Sequence, residues 1–216
     1  MNLPNNKELL YTSHEFIKTI PSIVETMYNN DIVFMFYSNS KDDIPGKGIR
    51  EKMIIGEENK YIPLLETNWR KKLSNFWVQP FKLDNKQWSS VEHYYQGSKF
   101  KKENPDFYHL FSIDSDSDIC KDATMAKSAG SKGGKVNKKK WRPKNVTIDS
   151  DFFSNNRNNE EMYKAQFAKF TQNDDLKKIL ISTLNAKLMH IVCRSNISIF
   201  FDNLVVIRDL IESGKV

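Results

Sequence analysis

The chain has 216 residues, with 33 lysines and arginines against 27 aspartates and glutamates, and so a mildly basic formal charge of +6. Hydrophobic residues make up 39% and aromatics 12%, the composition of a polar-surfaced globule with a Phe- and Tyr-rich core, which excludes disorder, collagen and a disulfide scaffold. No run reaches the roughly 18 apolar residues of a membrane span. No secretory signal opens the sequence, and two cysteines with four scattered histidines give no metal spacing, so the expectation is a cytoplasmic protein with no metal, no cofactor and no membrane partner.

Residues 7–28 carry Leu9, Leu10, Phe16, Ile17, Ile20, Ile23, Val24 and Met27 at helical spacing, interrupted by Pro21, and predict an N-terminal helical arm over 1–30. Ile32 to Tyr37 is short, continuously apolar and rich in β-formers, as a buried strand requires. The stretch 38–70 dissolves into turn chemistry, including Pro45-Gly46-Lys47-Gly48, and reads as a loop insertion in a domain over 31–216. Phe76-Trp77-Val78, Phe81-Lys82-Leu83 and the turn Asp84-Asn85-Lys86 suggest a hairpin.

Helical signals follow. Ser89 opens a helix running to Phe100, Pro105 starts a second, and Asp122 or Thr124 caps a third that Gly130 ends. Lys127, Lys132, Lys135, Lys138, Lys139, Lys140, Arg142 and Lys144 form the strongest charge block. The segment 154–161 reads as a polar loop, and helical periodicity returns from Asn159 and again over Leu204–Ile211. The fold class is α+β, predominantly helical, in one domain with a few short strands.

The densest stretch is Trp88-Ser89-Ser90-Val91-Glu92-His93-Tyr94-Tyr95-Gln96-Gly97-Ser98-Lys99-Phe100. On a helix, Glu92, Gln96 and Lys99 stand at i, i+4 and i+7 and share one face, with Trp88 and Tyr95 near it. Two accounts fit Glu92. It completes a capping box with Ser89, or it projects with an amide, an ammonium and flanking aromatic rings toward a small polar ligand. The glycine-lysine stretch 130–144 likewise reads as a phosphate cradle or as a flexible basic loop. His190 among Leu188, Met189 and Ile191 reads as a proton carrier or as a core residue.

The order Ser74-Asn75-Phe76, Pro80-Phe81, Trp88 to Phe100, Ala126-Lys127, Gly130 and Ala168-Lys169-Phe170-Thr171-Gln172 resembles the YbiA-like or NADAR family, over about 36–211. The resemblance implies an N-glycosidase of the EC 3.2.2 type. One branch of the family cleaves the ribosyl C1′–N bond of early phosphorylated riboflavin-biosynthesis intermediates, releasing ribose 5-phosphate; others act on ADP-ribose attached to a nucleobase. Glu92 falls on the family's Glu-His-Tyr motif and is the candidate catalytic carboxylate. Asn75, Phe76, Trp88, Tyr94, Tyr95 and Gln96 are candidates to hold the base, and Lys99 and Lys169 the phosphate. Trp141 or Asn145 falls on the family's downstream tryptophan, depending on register.

The chain departs from the bacterial pattern at its C-terminal end. Leu188-Met189-His190 and Ser195-Asn196-Ile197-Ser198-Ile199 replace an acidic and Asp-x-x-Trp-Gly element. With Pro45–Gly48, Trp69-Arg70 and Arg194, this looks like a branch known from eukaryotes and large DNA viruses, which would place a viral member in the host cytoplasm. His190 and Arg194 are then candidates to close the pocket, Arg194 facing the phosphate. Three functions stay open: hydrolysis of a small phosphorylated riboside, hydrolysis of ADP-ribose from a nucleobase, for which the basic stretch would bind nucleic acid, and non-catalytic reading of ADP-ribose or a nucleotide.

Overall fold

The structure, a computed structural model, describes residues 6–136, 139–192, 195 and 197–216. In chain order its elements are α1 (Asn6–Tyr11), α2 (His14–Ile23), β1 (Asn29–Phe36), α3 (Trp69–Lys72), β2 (Phe81–Leu83), β3 (Lys86–Trp88) and α4 (Val91–Ser98). There follow α5 (Pro105–His109), α6 (Asp118–Lys121), α7 (Ala123–Gly130), β4 (Lys135–Val136), β5 (Lys139–Lys140), α8 (Arg157–Gln172), α9 (Asp174–Ser182), β6 (Ala186–Ile191), β7 (Ser198–Phe200) and α10 (Asp202–Glu212). The architecture is α+β and predominantly helical, with short strands. Contacts divide it into two compact units, one of residues 1–77 with 170–216 and one of residues 78–169.

The first unit is built on a three-stranded sheet of order β1-β6-β7, β1 running parallel to β6 and β6 antiparallel to β7. Ile32, Phe34, Met35 and Phe36 of β1 are buried, and the Phe34 ring meets Tyr61 and Trp69 at 4.9 and 5.2 Å. The helical reading of 7–28 holds in part: the break falls at Ser13, whose Oγ accepts the Phe16 N–H at 3.2 Å as an N-cap, and Pro21 lies inside α2.

Within 38–70 the Pro45–Gly48 turn is organised by a buried carboxylate. Glu51 accepts N–H bonds from Met35, Gly46 and Gly48, each at 2.9 Å, and pairs with Arg70 at 2.8 Å. The sequence reading contains neither this ion pair nor strands β6 and β7. At the far end, Arg208 of α10 is buried and donates to Thr183 Oγ1, Ala186 O and Met27 O.

The second unit packs α4, α5, α7 and α8 around Trp88, Val91, Tyr94, Phe100, Phe107, Phe111 and four small residues, Ala126, Ala129, Ala165 and Ala168. Its hairpin pairs β2 with β3 through Asp84 and Asn85, both at positive φ (55° and 58°), the left-handed pair that a two-residue turn needs. Phe76–Val78 is therefore outside the hairpin, and the second strand is Lys86–Trp88. The segment read as a polar loop is helical from Arg157 onward, because Arg157 and Glu161 are buried partners of groups elsewhere in the unit.

Candidate active site

Helix α4 starts one residue later than a Ser89–Glu92 capping box requires. Its N-cap is Ser90, whose Oγ accepts the His93 N–H at 3.4 Å and contacts His93 Nδ1 at 2.8 Å. The Glu92 carboxylate is engaged by a side chain. Gln96 Nε2 donates to Glu92 Oε1 at 2.9 Å, and Lys99 Nζ donates to Gln96 Oε1 at 2.6 Å and to Gly130 O at 3.2 Å. The i, i+4, i+7 stripe is thus a continuous chain from carboxylate through amide to ammonium. All three residues are buried, at 6, 6 and 8% exposure, although each has a group that water would solvate strongly.

The relay is seated by α7, which packs on α4. A Cβ at Gly130 would overlap Gln96 Oε1 and come within 2.8 Å of Gln96 Cβ and 3.0 Å of its Cδ. Only a glycine leaves the amide its place. Asp122 fixes the start of α7 by accepting the Thr124 and Met125 N–H groups at 2.6 and 3.1 Å.

Burial raises the Glu92 pKa above the usual carboxylate value; the Gln96 hydrogen bond and the Lys127 and Lys99 charges pull it back. Burial lowers Lys99 to about 8, opposed by Glu92 and reinforced by the Arg142 and Lys127 charges. His93 is lowered to about 4, also by burial, and is neutral at physiological pH. The site therefore holds a desolvated carboxylate, oriented by a neutral amide and flanked by cations.

The other face of α4 is committed to the unit's own structure. The Tyr94 hydroxyl lies between Glu161 Oε2 and Asp84 Oδ2, the latter at 2.9 Å, and Lys101 Nζ reaches Asp84 at 2.5 Å. Trp88 is fully buried, with its indole N–H donated to Leu83 O at 2.9 Å. Arg157 ties the end of the helix, donating to Ser98 O at 3.0 Å and Asp149 at 2.8 Å.

The structure thus brings Glu92, Gln96 and Lys99 together with Tyr95, whose half-buried ring lies 5.3 Å from Lys99 Nζ. Trp88 and Tyr94 sit in the packed interior on the opposite side, and Lys169 is fully buried on α8. Asn75 and Phe76 follow α3 in the first unit, Phe76 N–H donating to Ser74 Oγ at 3.2 Å. His190 lies on β6 in that same unit, its ring stacked on Phe201 at 5.0 Å and edge-on to Phe36 at 5.5 Å. Arg194 lies outside the described residues. Trp141 packs against the aromatic core of the second unit.

The sequence places Lys127 and Gly130 on the family's motif, Lys127 and Arg142 in a basic block, and Gly130 at a helix end in a stretch that reads as a phosphate cradle or as a flexible basic loop. The link of Lys127 and Gly130 to Glu92 and Lys99 comes from the packing of α7 on α4, which no local pattern encodes, while Arg142 lies after β5, over the Phe100 ring. Among the described residues no group of three or more His, Cys, Asp or Glu side chains could hold a metal ion, and no helix is long and apolar enough to cross a membrane.

A family model described as the NADAR domain matches residues 65–197, more than half of the chain and all of the segment that carries the relay. Among solved structures, the NMR structure of the Escherichia coli protein YbiA is similar, with a TM-score of 0.52 and 21% identity over 86% of each chain. That likeness concerns the fold. A search of curated proteins found no match.

Proposed function

The chain belongs to the NADAR family, and from that membership and the Glu92–Gln96–Lys99 relay we propose that it is an N-glycosidase cleaving the C1′–N bond of a phosphorylated riboside. The favoured substrates are early riboflavin-biosynthesis intermediates, with ribose 5-phosphate as a product. The observation that carries the reading is a buried carboxylate whose one oxygen is fixed by an amide that is itself held by a lysine.

Breaking a ribosyl C–N bond passes through an oxocarbenium-like state, with positive charge growing on C1′ and O4′. Glu92 offsets that charge and takes a proton from the attacking water. The water oxygen bonds to C1′, the C1′–N pair leaves with the base, and the proton returns from Glu92 to the base nitrogen. A carboxylate with a raised pKa suits both halves of that transfer, since it holds a proton more readily than a solvated one. Gln96 is a positioning residue: it is neutral at every relevant pH and sets the plane of the carboxylate without quenching its charge. Tyr95 beside Lys99 offers a ring on which a flat base can rest.

The reading is tested by incubating the protein in parallel with a ribosylaminopyrimidine 5-phosphate, NAD and ADP-ribosylated DNA, followed by mass spectrometry. Release of ribose 5-phosphate by the wild type and its loss in Glu92→Gln are expected. Release of ADP-ribose from DNA alone would move the substrate to a nucleobase conjugate, and no product from any of the three would overturn the reading.

A further inference from the structure

The basic stretch after α7 doubles back on Gly134, whose carbonyl accepts the N–H groups of Trp141 at 2.8 Å and Arg142 at 3.4 Å. Gly134 has φ +59°, and a Cβ there would come within 2.9 Å of Arg142 Cβ and 3.2 Å of its Nε. The turn is thus shaped around this arginine. Its guanidinium lies 5.4 Å from the Phe100 ring, next in sequence to Lys99, and Nη2 donates to Lys132 O at 2.8 Å. Nη1 is a buried donor with no hydrogen-bond partner among the described residues, a costly state unless a ligand completes it.

Charge points the same way. The ionised groups that act on Lys99 are Glu92, Arg142 and Lys127, so one carboxylate stands among three cations. Lys127 is on α7 one turn before Gly130, whose carbonyl holds Lys99. Lys99 spends donors on Gln96 and Gly130 and keeps a third. Glu92 and Lys99 are buried, Arg142 is half-buried and Lys127 is exposed, so the cations run from the relay toward the surface.

We propose that Arg142, with Lys127 and Lys99, binds the substrate's phosphate. The inference rests on the N-glycosidase reading and adds the group that selects phosphorylated over free ribosides. A guanidinium braced at Nη2 and unpartnered at Nη1 has a directed donor to give to a phosphate oxygen. The bound anion is a phosphate monoester or the diphosphate of an ADP-ribosyl group, and both present the same oxygens.

Calorimetry on the full chain tests this with ribose 5-phosphate, ADP-ribose and unphosphorylated ribose as probes. The variants are Arg142→Gln, Arg142→Lys and Lys127→Met, with the exposed Lys144→Ser as a surface control. Losing one charge-assisted bond should weaken the phosphorylated probes about tenfold or more in Arg142→Gln. Arg142→Lys should weaken them less, and Lys144→Ser and the ribose arm should not move. Where Arg142→Gln fails to fold by circular dichroism, Arg142→Lys, which keeps charge and bulk, carries the test. Wild-type affinity for both phosphorylated probes in the folded Arg142 variants overturns the inference, as does an equal loss in Lys144→Ser. Ribose 5-phosphate release with an unchanged KM in Arg142→Gln would sink this inference alone. Arg142-dependent binding without hydrolysis of any riboside would sink the glycosidase reading alone.

Discussion

Replacing Gly130 by alanine adds one methyl group where the Gln96 side chain already lies. Helical backbone tolerates alanine better than glycine, so any cost comes from the overlap with Gln96 Oε1 and the 2.8 Å approach to its Cβ. The terminal amide cannot give way alone, because Gly130 also crowds the root of the side chain. Gln96 has to leave its rotamer and release two buried hydrogen bonds, one to a carboxylate and one from an ammonium. Bonds to charged groups contribute about 1.5–3 kcal/mol each, so the expected destabilisation is about 3–6 kcal/mol. For a chain of this length that lowers Tm by about 6–24 °C. Hydrolysis should fall with it, since Glu92 loses the amide that orients it. Urea denaturation of Gly130→Ala, Gln96→Ala and the double variant separates this account from a general defect in α7. Gln96→Ala removes Oε1 and Cδ but keeps the Cβ 2.8 Å away, so Gly130→Ala should cost less there than in wild type, with a coupling of about 2–3 kcal/mol and the remainder left as the Cβ–Cβ overlap. Equal costs in both backgrounds, or an unchanged melt of Gly130→Ala, would refute the placement of Gln96.

Glu92→Gln should separate stability from activity: the native state favours the protonated acid, so its charge costs stability at neutral pH and the variant should resist urea at least as well as wild type. Hydrolysis should meanwhile drop by about 10²–10⁴-fold, and a marked loss of stability would return Glu92 to a structural role. Affinity for a phosphorylated ligand should fall as pH rises through about 8, where Lys99 loses its proton; Lys99→Arg, charged throughout, should flatten that profile, and an unaltered profile would acquit Lys99. The native state holds the Lys99 proton less tightly than the unfolded chain does, so stability should rise with pH between about 8 and the ordinary 10.5, and a Lys99→Met variant lacking that slope would confirm its source. Glu51→Ala should destabilise the first unit by about 3–5 kcal/mol, because it strands the buried Arg70 and the N–H groups of Met35, Gly46 and Gly48; a cost under about 1 kcal/mol in urea would show those groups to be satisfied otherwise.

The parts of the fold that local chemistry decides were legible. Asp122 caps α7, Pro105 starts α5, the apolar run from Ile32 supplies the buried Ile32, Phe34, Met35 and Phe36 of β1, and the spacing of Glu92, Gln96 and Lys99 puts them on one stripe. The parts that distant partners decide were not. Ala186–Ile191 is a mixed six-residue run that becomes a strand by pairing in parallel with β1, more than 150 residues away. Arg157 and Glu161 sit among asparagines that read as loop, and they are helical because Asp149, Ser98 and Tyr94 receive them. Aromatic density misdirects for the same reason: Trp88 and Tyr95 both stand near the stripe in sequence, yet one supports the hairpin and the other faces the lysine. The candidate site was thus legible as a stripe, while its seat against α7 was not.

Helix α4 has eight residues, and both of its sides are spoken for: Glu92 and Gln96 toward the Gly130 end of α7, Tyr94 toward Asp84 and Glu161. Such a helix has a fixed phase. One inserted or deleted residue would turn everything beyond it by about 100°, driving a tyrosine into the space that Gly130 keeps open and carrying the amide toward two carboxylates. The motif can therefore vary by substitution but not by length. Its Glu-x-Tyr-x-Gln-x-x-Lys spacing works as a mechanical key, cut so that the acid comes to rest in one orientation.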